Sequence, residues 1–455
     1  MMAVWTRRGF LASGLALAAC ANHRPRLAET YGAAARSGRR PPLILIPGAF
    51  GSSLRSRATG REVWPASDPE LLLSNYRSLE LPIDPVTLEP LADGLEAYAV
   101  FREGLGRDFY GEVIDHLERV GGYRLVRPGQ PLRDDESPLH LLLYDFRRDN
   151  LEAVRALDAL VARIRADAAA PDLAVDILAH SNGGLIARYY ARYGTAPLPE
   201  TGDFVPTYAG VPAIRRLLLV GTPNLGTIQP VLSLLRGEEI GLRRIPSEVV
   251  ATCPGLPQLM PHPAVPWLVG RDGTVMRANL YDVETWRDLR WGLWDPRIAE
   301  RTRALHGGGG AGRRYLETLR EFQAKHLRRG SRFIEALGVP AGPEDVEARV
   351  FGGDCELTLA RLVVESVEQV LRGRERIADL AAPDPNVAYE SAMFEPGDTV
   401  VTRSSLLGRT SQGPWPAGPP LRVAQATFLC EHHQQLTGNA MLIDNVLHAL
   451  FSESG

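Results

Sequence analysis

One segment constrains this chain more than any other. Val175–Ala179 (VDILA) is a short apolar, β-favouring run, residues 180–184 (HSNGG) are a cluster of turn formers, and residues 185–194 (LIARYYARYG) read as a helix. Strand, sharp turn with a Ser, then helix is the setting that lifts a serine out of a sheet as an exposed nucleophile, here Ser181. The turn strains the Ser backbone, so the residues two before and two after it must be small. They are Ala179 and Gly183, with Ala in place of the first Gly of the usual G-x-S-x-G pattern. The following helix would aim its N-terminus, which favours negative charge, at whatever binds there. His180 is expected to point away from the Ser hydroxyl and to serve structure.

The rest of the chain repeats the alternation. Leu43–Ile46, Leu139–Leu143, Leu217–Val220 and Val350–Phe351 are apolar runs bounded by turn signals, as in strands buried on both faces of a parallel sheet. Between them, Asn150 can cap a helix whose Val154, Leu157, Leu160, Val161 and Ile164 follow the 3.6 period; Phe109–Val120 and Met441–Phe451 also read as helices. The expected class is α/β: a mostly parallel sheet with helices on both faces. Residues 51–105 and about 223–300, rich in Gly, Pro and Trp, are too long for ordinary connections and are expected to be insertions. Trp267, Trp286, Trp291 and Trp294 suit either the core of such a cap or an acyl-binding wall or membrane-facing patch. The formal net charge of −3 offers no basic field for nucleic acid.

A Ser hydroxyl needs a base, and the base needs an orienting acid. In strand–turn–helix enzymes the chain order is Ser, acid, His. Asp398 follows a Pro-Gly turn at a strand–loop boundary; Asp354 follows a short strand; Asp272 sits in an Asp-Gly pair within the Trp-rich stretch. The base is expected just before the last helix, at His432 or His433. Two backbone donors for an oxyanion are expected: the N–H of Asn182, next to the nucleophile, and that of Ala49, in the loop after the first strand. Nothing in the pattern calls for a metal or an organic cofactor.

The N-terminus reads as an address. Arg7 and Arg8 precede a short apolar run, Phe10–Ala19, too brief to span a bilayer. Residues 6–11 (TRRGFL) resemble a twin-arginine export signal, and residues 17–20 (LAAC) a lipobox. Residues 1–19 are therefore expected to be a signal peptide, Cys20 the lipid-modified first residue of an exported, membrane-anchored protein, and residues 20–40 a tether before a domain at 41–455. Of the other cysteines, Cys253, Cys355 and Cys430, at most one pair can bond, and small buried apolar positions are expected for them.

Seven segments then carry a resemblance: PLILIPGAFGSSL, YDFRRDN, AHSNGGLIARYYARYG, LVGTPNLGT, FGGDCELT, GDTVVTRSSL and HQQLTGN occur in the order found in the lecithin:cholesterol acyltransferase-like group of α/β-hydrolases. The resemblance implies an α/β-hydrolase fold and a Ser–Asp–His triad at Ser181, Asp398 and His433. His433 rather than His432 is followed by Leu436 and Asn439 at the family's spacing. It also implies Ala49 as the second oxyanion donor. Asp145-Phe146-Arg147 stands where the family has Asp-Trp-Arg, with the Asp and Arg structural, and GDTVV stands where it has GDGTV. The implied activity is a serine esterase, lipase or acyltransferase acting on a lipid ester through an acyl-enzyme. The different class to weigh against it is a silent, membrane-tethered binding protein on the same fold.

Overall fold

The computed structural model describes residues 27–35, 38–65, 74–104, 106–127, 129–133, 135–367, 370–410 and 418–452. The expected signal peptide, residues 1–19, and the expected lipidation site Cys20 lie outside the described residues. Seven strands form the central sheet: β1 (Leu43–Ile46), β2 (Tyr123–Leu125), β3 (Ser137–Leu141), β4 (Val175–His180), β5 (Ile214–Val220), β6 (Ala348–Gly353) and β7 (Val423–Leu429). Their spatial order is β7-β6-β5-β4-β1-β3-β2, and every pairing is parallel.

The apolar runs are continuous because both sheet faces are covered. Alternate residues of one strand enter different cores: Ile44 and Ile46 of β1 join one, Leu43 and Leu45 the other. Helices α2 (Asn150–Asp167), α3 (Asn182–Tyr193) and α5 (Gly309–Gly338) pack on the first face. Helices α1 (Gly111–Arg119) and α6 (Ala440–Phe451) pack on the second. Helix α4 (Gln229–Arg236) belongs to the second insertion.

Several elements depart from expectation for identifiable reasons. The cap of α2 is Asp149, which accepts from the Leu151 N–H, because the Asn150 side chain is drawn inward to Asn182. Strands β2 and β7 have mixed patterns, Tyr-Arg-Leu and Val-Ala-Gln-Ala-Thr-Phe-Leu, since each is a sheet edge. Within the expected tether, residues 27–35 form a helix whose buried Leu27 and Tyr31 join the second core, with the Tyr31 hydroxyl donating to Asp444 at 2.8 Å.

The first insertion carries a three-stranded antiparallel sheet of Ser52–Ser56, Glu62–Trp64 and Leu95–Val100. Arg147, fully buried, fastens it: the guanidinium donates to Asp145 at 2.9 and 2.7 Å and pairs with Asp93 of the insertion at 2.7 Å. Trp267, Trp286 and Trp291 are buried in the second insertion, ring against ring, and none of the four Trp residues there lines the cavity described below. They are cap core.

Candidate active site

Ser181 caps the C-terminal end of β4 with φ 53° and ψ −124°, a conformation that non-glycine residues rarely adopt. The strain persists because the neighbourhood leaves no alternative. A Cβ on Gly48 would lie 2.8 Å from the Ser181 Cβ, and one on Gly183 would lie 2.6 Å from the Ile46 carbonyl oxygen. The loop after β1 therefore runs directly against the elbow, and the small residue expected two past Ser181 is required sterically.

Around the elbow the structure brings together three side chains that are 35, 217 and 252 residues apart in pairs: Ser181, Asp398 and His433. The His433 Nε2 lies 3.0 Å from the Ser181 Oγ, and its Nδ1 lies 2.8 Å from the Asp398 Oδ2. Asp398 is buried, and its other oxygen accepts from the N–H groups of Val400 (3.1 Å) and Val401 (2.7 Å). The His433 N–H donates to the Asp398 carbonyl at 2.7 Å, so the two loops are joined through backbone as well. With Nδ1 donating to the carboxylate, Nε2 is left to accept the serine proton. Thr399, which follows Asp398 where a Gly was expected from the resemblance, holds φ 80° and donates its N–H to the Thr358 hydroxyl at 2.9 Å.

The alternative acids and base go elsewhere. Asp354 faces Arg403 at 3.6 Å, Asp272 is exposed and accepts from Thr274 in its own turn, and His432 is exposed beside Glu356.

Of the two expected oxyanion donors, the Asn182 N–H opens α3, whose first-turn amides have no acceptor within the helix. The Asn182 side chain is held by reciprocal bonds with Asn150 (2.9 and 2.8 Å) and a bond to the Tyr144 hydroxyl. The Ala49 N–H makes no hydrogen bond to another described residue, whereas the adjoining Gly48 N–H donates to the Tyr110 hydroxyl at 2.7 Å.

Tyr110 and His180 form a link that motif reading missed. The His180 Nε2 lies 3.2 Å from the His433 carbonyl oxygen, an acceptor, so Nε2 carries the proton. Nδ1 must then accept, and it does so from the Tyr110 hydroxyl at 2.7 Å. Burial first, then the neighbouring His433, push the His180 imidazole down to about 3, so it stays neutral. His180 points away from the serine, as expected, yet it joins the loop after β1 to the loop bearing His433. Tyr110 offered only an aromatic ahead of a helix as a signal.

Cys355 and Cys430 are bonded to each other and exposed, which corrects the expectation of buried apolar cysteines. They stand just past the ends of adjacent strands β6 and β7, with Cα atoms 5.2 Å apart, a proximity that only the sheet order creates. Cys430 is three residues before His433. Among the described residues Cys253 is the free thiol, pushed up to about 12 by burial.

A cavity of about 540 Å³ opens on Ser181 and His433. Phe50, Trp64, Phe101, Phe109, Leu256 and Leu259 supply its apolar lining, drawn from both insertions and the approach to α1. Gln229, Ser233 and Glu238 add a polar group of residues.

No family model and no curated protein matches the chain. Among solved structures it is similar to Tle4 in the Tle4–Tli4 complex, at 15% identity and a TM-score of 0.57, covering 91% of this chain and 98% of that one. EstA from Clostridium botulinum, at 12% identity, covers 91% of this chain and 87% of that one with a TM-score of 0.35, too low to carry an argument. The parallel sheet, the helices on both its faces, the serine elbow after β4 and the likeness to Tle4 together give this chain the α/β-hydrolase fold.

Proposed function

We propose that the chain is a serine hydrolase that cleaves a lipid ester through an acyl-enzyme. The observation that carries the reading is the hydrogen-bonded line Ser181 Oγ, His433 Nε2, His433 Nδ1, Asp398, opening on a largely apolar cavity. Ser181 attacks the acyl carbonyl as His433 takes its proton, and Asp398 orients and stabilises the imidazolium. The N–H groups of Asn182 and Ala49 hold the oxyanion. His433 then protonates the leaving alcohol, and water or a second alcohol takes the acyl group by the reverse sequence, so the same site serves hydrolysis and acyl transfer. The aromatic lining suits an acyl chain.

The N-terminal signal leads us to propose further that the protein is exported and anchored to a membrane through lipid on Cys20. The Cys355–Cys430 bond supports an oxidising compartment. Replacing Cys20 by Ala should move the protein from the membrane to the soluble fraction.

A fluorophosphonate should label the protein, and Ser181→Ala should abolish labelling. Folded wild type that resists the reagent would defeat the enzyme reading and leave a binding protein. Turnover of esters of rising chain length, with and without an alcohol acceptor, identifies the acyl group and separates hydrolase from transferase.

A further inference from the structure

The cavity contains a carboxylate that the ester chemistry does not use. Helix α4 presents Gln229 and Ser233 one turn apart on the same side. Gly237 ends the helix at φ 90°, where a Cβ would meet the Ile245 carbonyl oxygen at 2.2 Å, and this turn folds Glu238 back against the helix. The Gln229 Nε2 donates to both Glu238 oxygens, at 3.3 and 3.1 Å, and the Ser233 hydroxyl donates to Oε2. All three residues line the cavity that holds Ser181 and His433.

Two neutral donors fix the carboxylate, and the charge of Arg236, which is shared with Glu375, offsets it only from a distance. Glu238 has no ion-pair partner among the described residues: the nearby Arg236 is taken by Glu375, and Arg244 by Glu239 at 2.6 Å. The other charged residues of the lining, Arg107 and Glu239, are exposed. Burial raises the Glu238 carboxyl above its ordinary range. Glu238 is half-buried in the cavity wall, and a carboxylate drawn partly out of water favours a direct counter-charge. Oε1 receives only the longer of the two Gln229 contacts and keeps accepting capacity toward the cavity.

We propose that Glu238, held by Gln229 and Ser233, is a specificity subsite for ester substrates that carry a positively charged nitrogen. It rests on the ester-hydrolase reading and adds the class of substrate. The cation supplies a direct counter-charge, and an alkylammonium group can rest on the faces of the aromatic rings in the same cavity.

The test compares butyrylthiocholine with its neutral carbon isostere, S-(3,3-dimethylbutyl) thiobutyrate, in wild type, Glu238→Gln and Glu238→Asp. Wild type should favour the cationic thioester by more than about tenfold in kcat/KM, about 1.4 kcal/mol. Glu238→Gln, which keeps the shape and loses the charge, should bring the ratio to about one, chiefly through a higher KM for the cationic thioester. Glu238→Asp should retain part of the preference. Equal use of the two thioesters by wild type, turnover of neither by a protein that reacts with fluorophosphonate, or an equal loss on both in Glu238→Gln would overturn the subsite. Fluorophosphonate labelling of Ser181, run in parallel, reports on the hydrolase reading separately, and its absence removes both.

Discussion

Tyr110→Phe tests whether the oxyanion loop and the base loop are held as one unit. The substitution deletes a single oxygen from a buried position. Two groups lose 2.7 Å partners at once, the Gly48 N–H and the His180 Nδ1. A buried polar group left unpaired costs about 1–3 kcal/mol, so two imply about 2–6 kcal/mol, less whatever water entering the space restores. In a chain this long the shift is about 1–2 °C per kcal/mol, so the melting temperature should fall by roughly 2–12 °C. Activity should fall as well. Gly48 is released one residue before Ala49, and a whole oxyanion donor is worth roughly 10²–10³ in kcat, so a loosened one should cost about 10- to 100-fold. Because the donor acts on charge that develops in the transition state, the loss should fall on kcat and leave KM nearly constant. Thermal melts by circular dichroism, with kinetics on p-nitrophenyl butyrate, give both readings. A variant that melts and turns over like wild type would show that the Tyr110–His180 link positions nothing.

Four further outcomes are expected. Asp398→Asn should retain the fold but lower kcat by about 10⁴, since the amide favours the wrong tautomer of His433, and fluorophosphonate labelling should slow in step. Reducing Cys355–Cys430, or replacing both residues by Ser, opens a connection 75 residues long and should remove about 4 kcal/mol of stability on the loop-entropy scale; activity should drop with it, because His433 lies three residues beyond Cys430, and an unchanged melt under dithiothreitol would refute this. Thr399→Gly should raise the melting temperature slightly at constant activity, relieving about 1 kcal/mol of strain at φ 80°, and a lower melt would show that the Thr methyl or hydroxyl outweighs it. Burial lowers His180 to about 3 and His140, His262 and His326 to about 4, so native imidazoles stay neutral where unfolded ones gain protons. Stability should therefore decline as pH falls from about 6.5 towards 4, by up to about 1.4 kcal/mol per pH unit for each group, and His262→Gln should flatten the decline measured by melts at stepped pH.

How much of this was legible along the chain depends on the range of the physics involved. Strand β4, the Ser181 turn and α3 were readable because their determinants are contiguous: a buried apolar run, small residues where the elbow admits nothing larger, and a helix with its own periodicity. The edge strands β2 and β7 were not, because an edge lacks the two-sided burial that makes a run apolar. Asp398 and His433 could be nominated by chain order and resemblance, but Asp354, Asp272 and His432 carried the same functional groups. The order of β4, β5, β6 and β7 in the sheet brings the loops after those strands to one edge, and this proximity separates the candidates. The same holds for the Cys355–Cys430 bond, the Tyr110–His180 link and the carboxylate of Glu238. The first two join groups from distant segments, and the third gains its meaning only because distant segments close the cavity that Glu238 shares with Ser181. Sequence by itself determined the kinds of element and the kind of chemistry, because those follow from local periodicity and functional groups. Tertiary structure alone decided which groups meet, since a hydrogen bond requires approach within about 3 Å and nothing local specifies that for residues hundreds of positions apart.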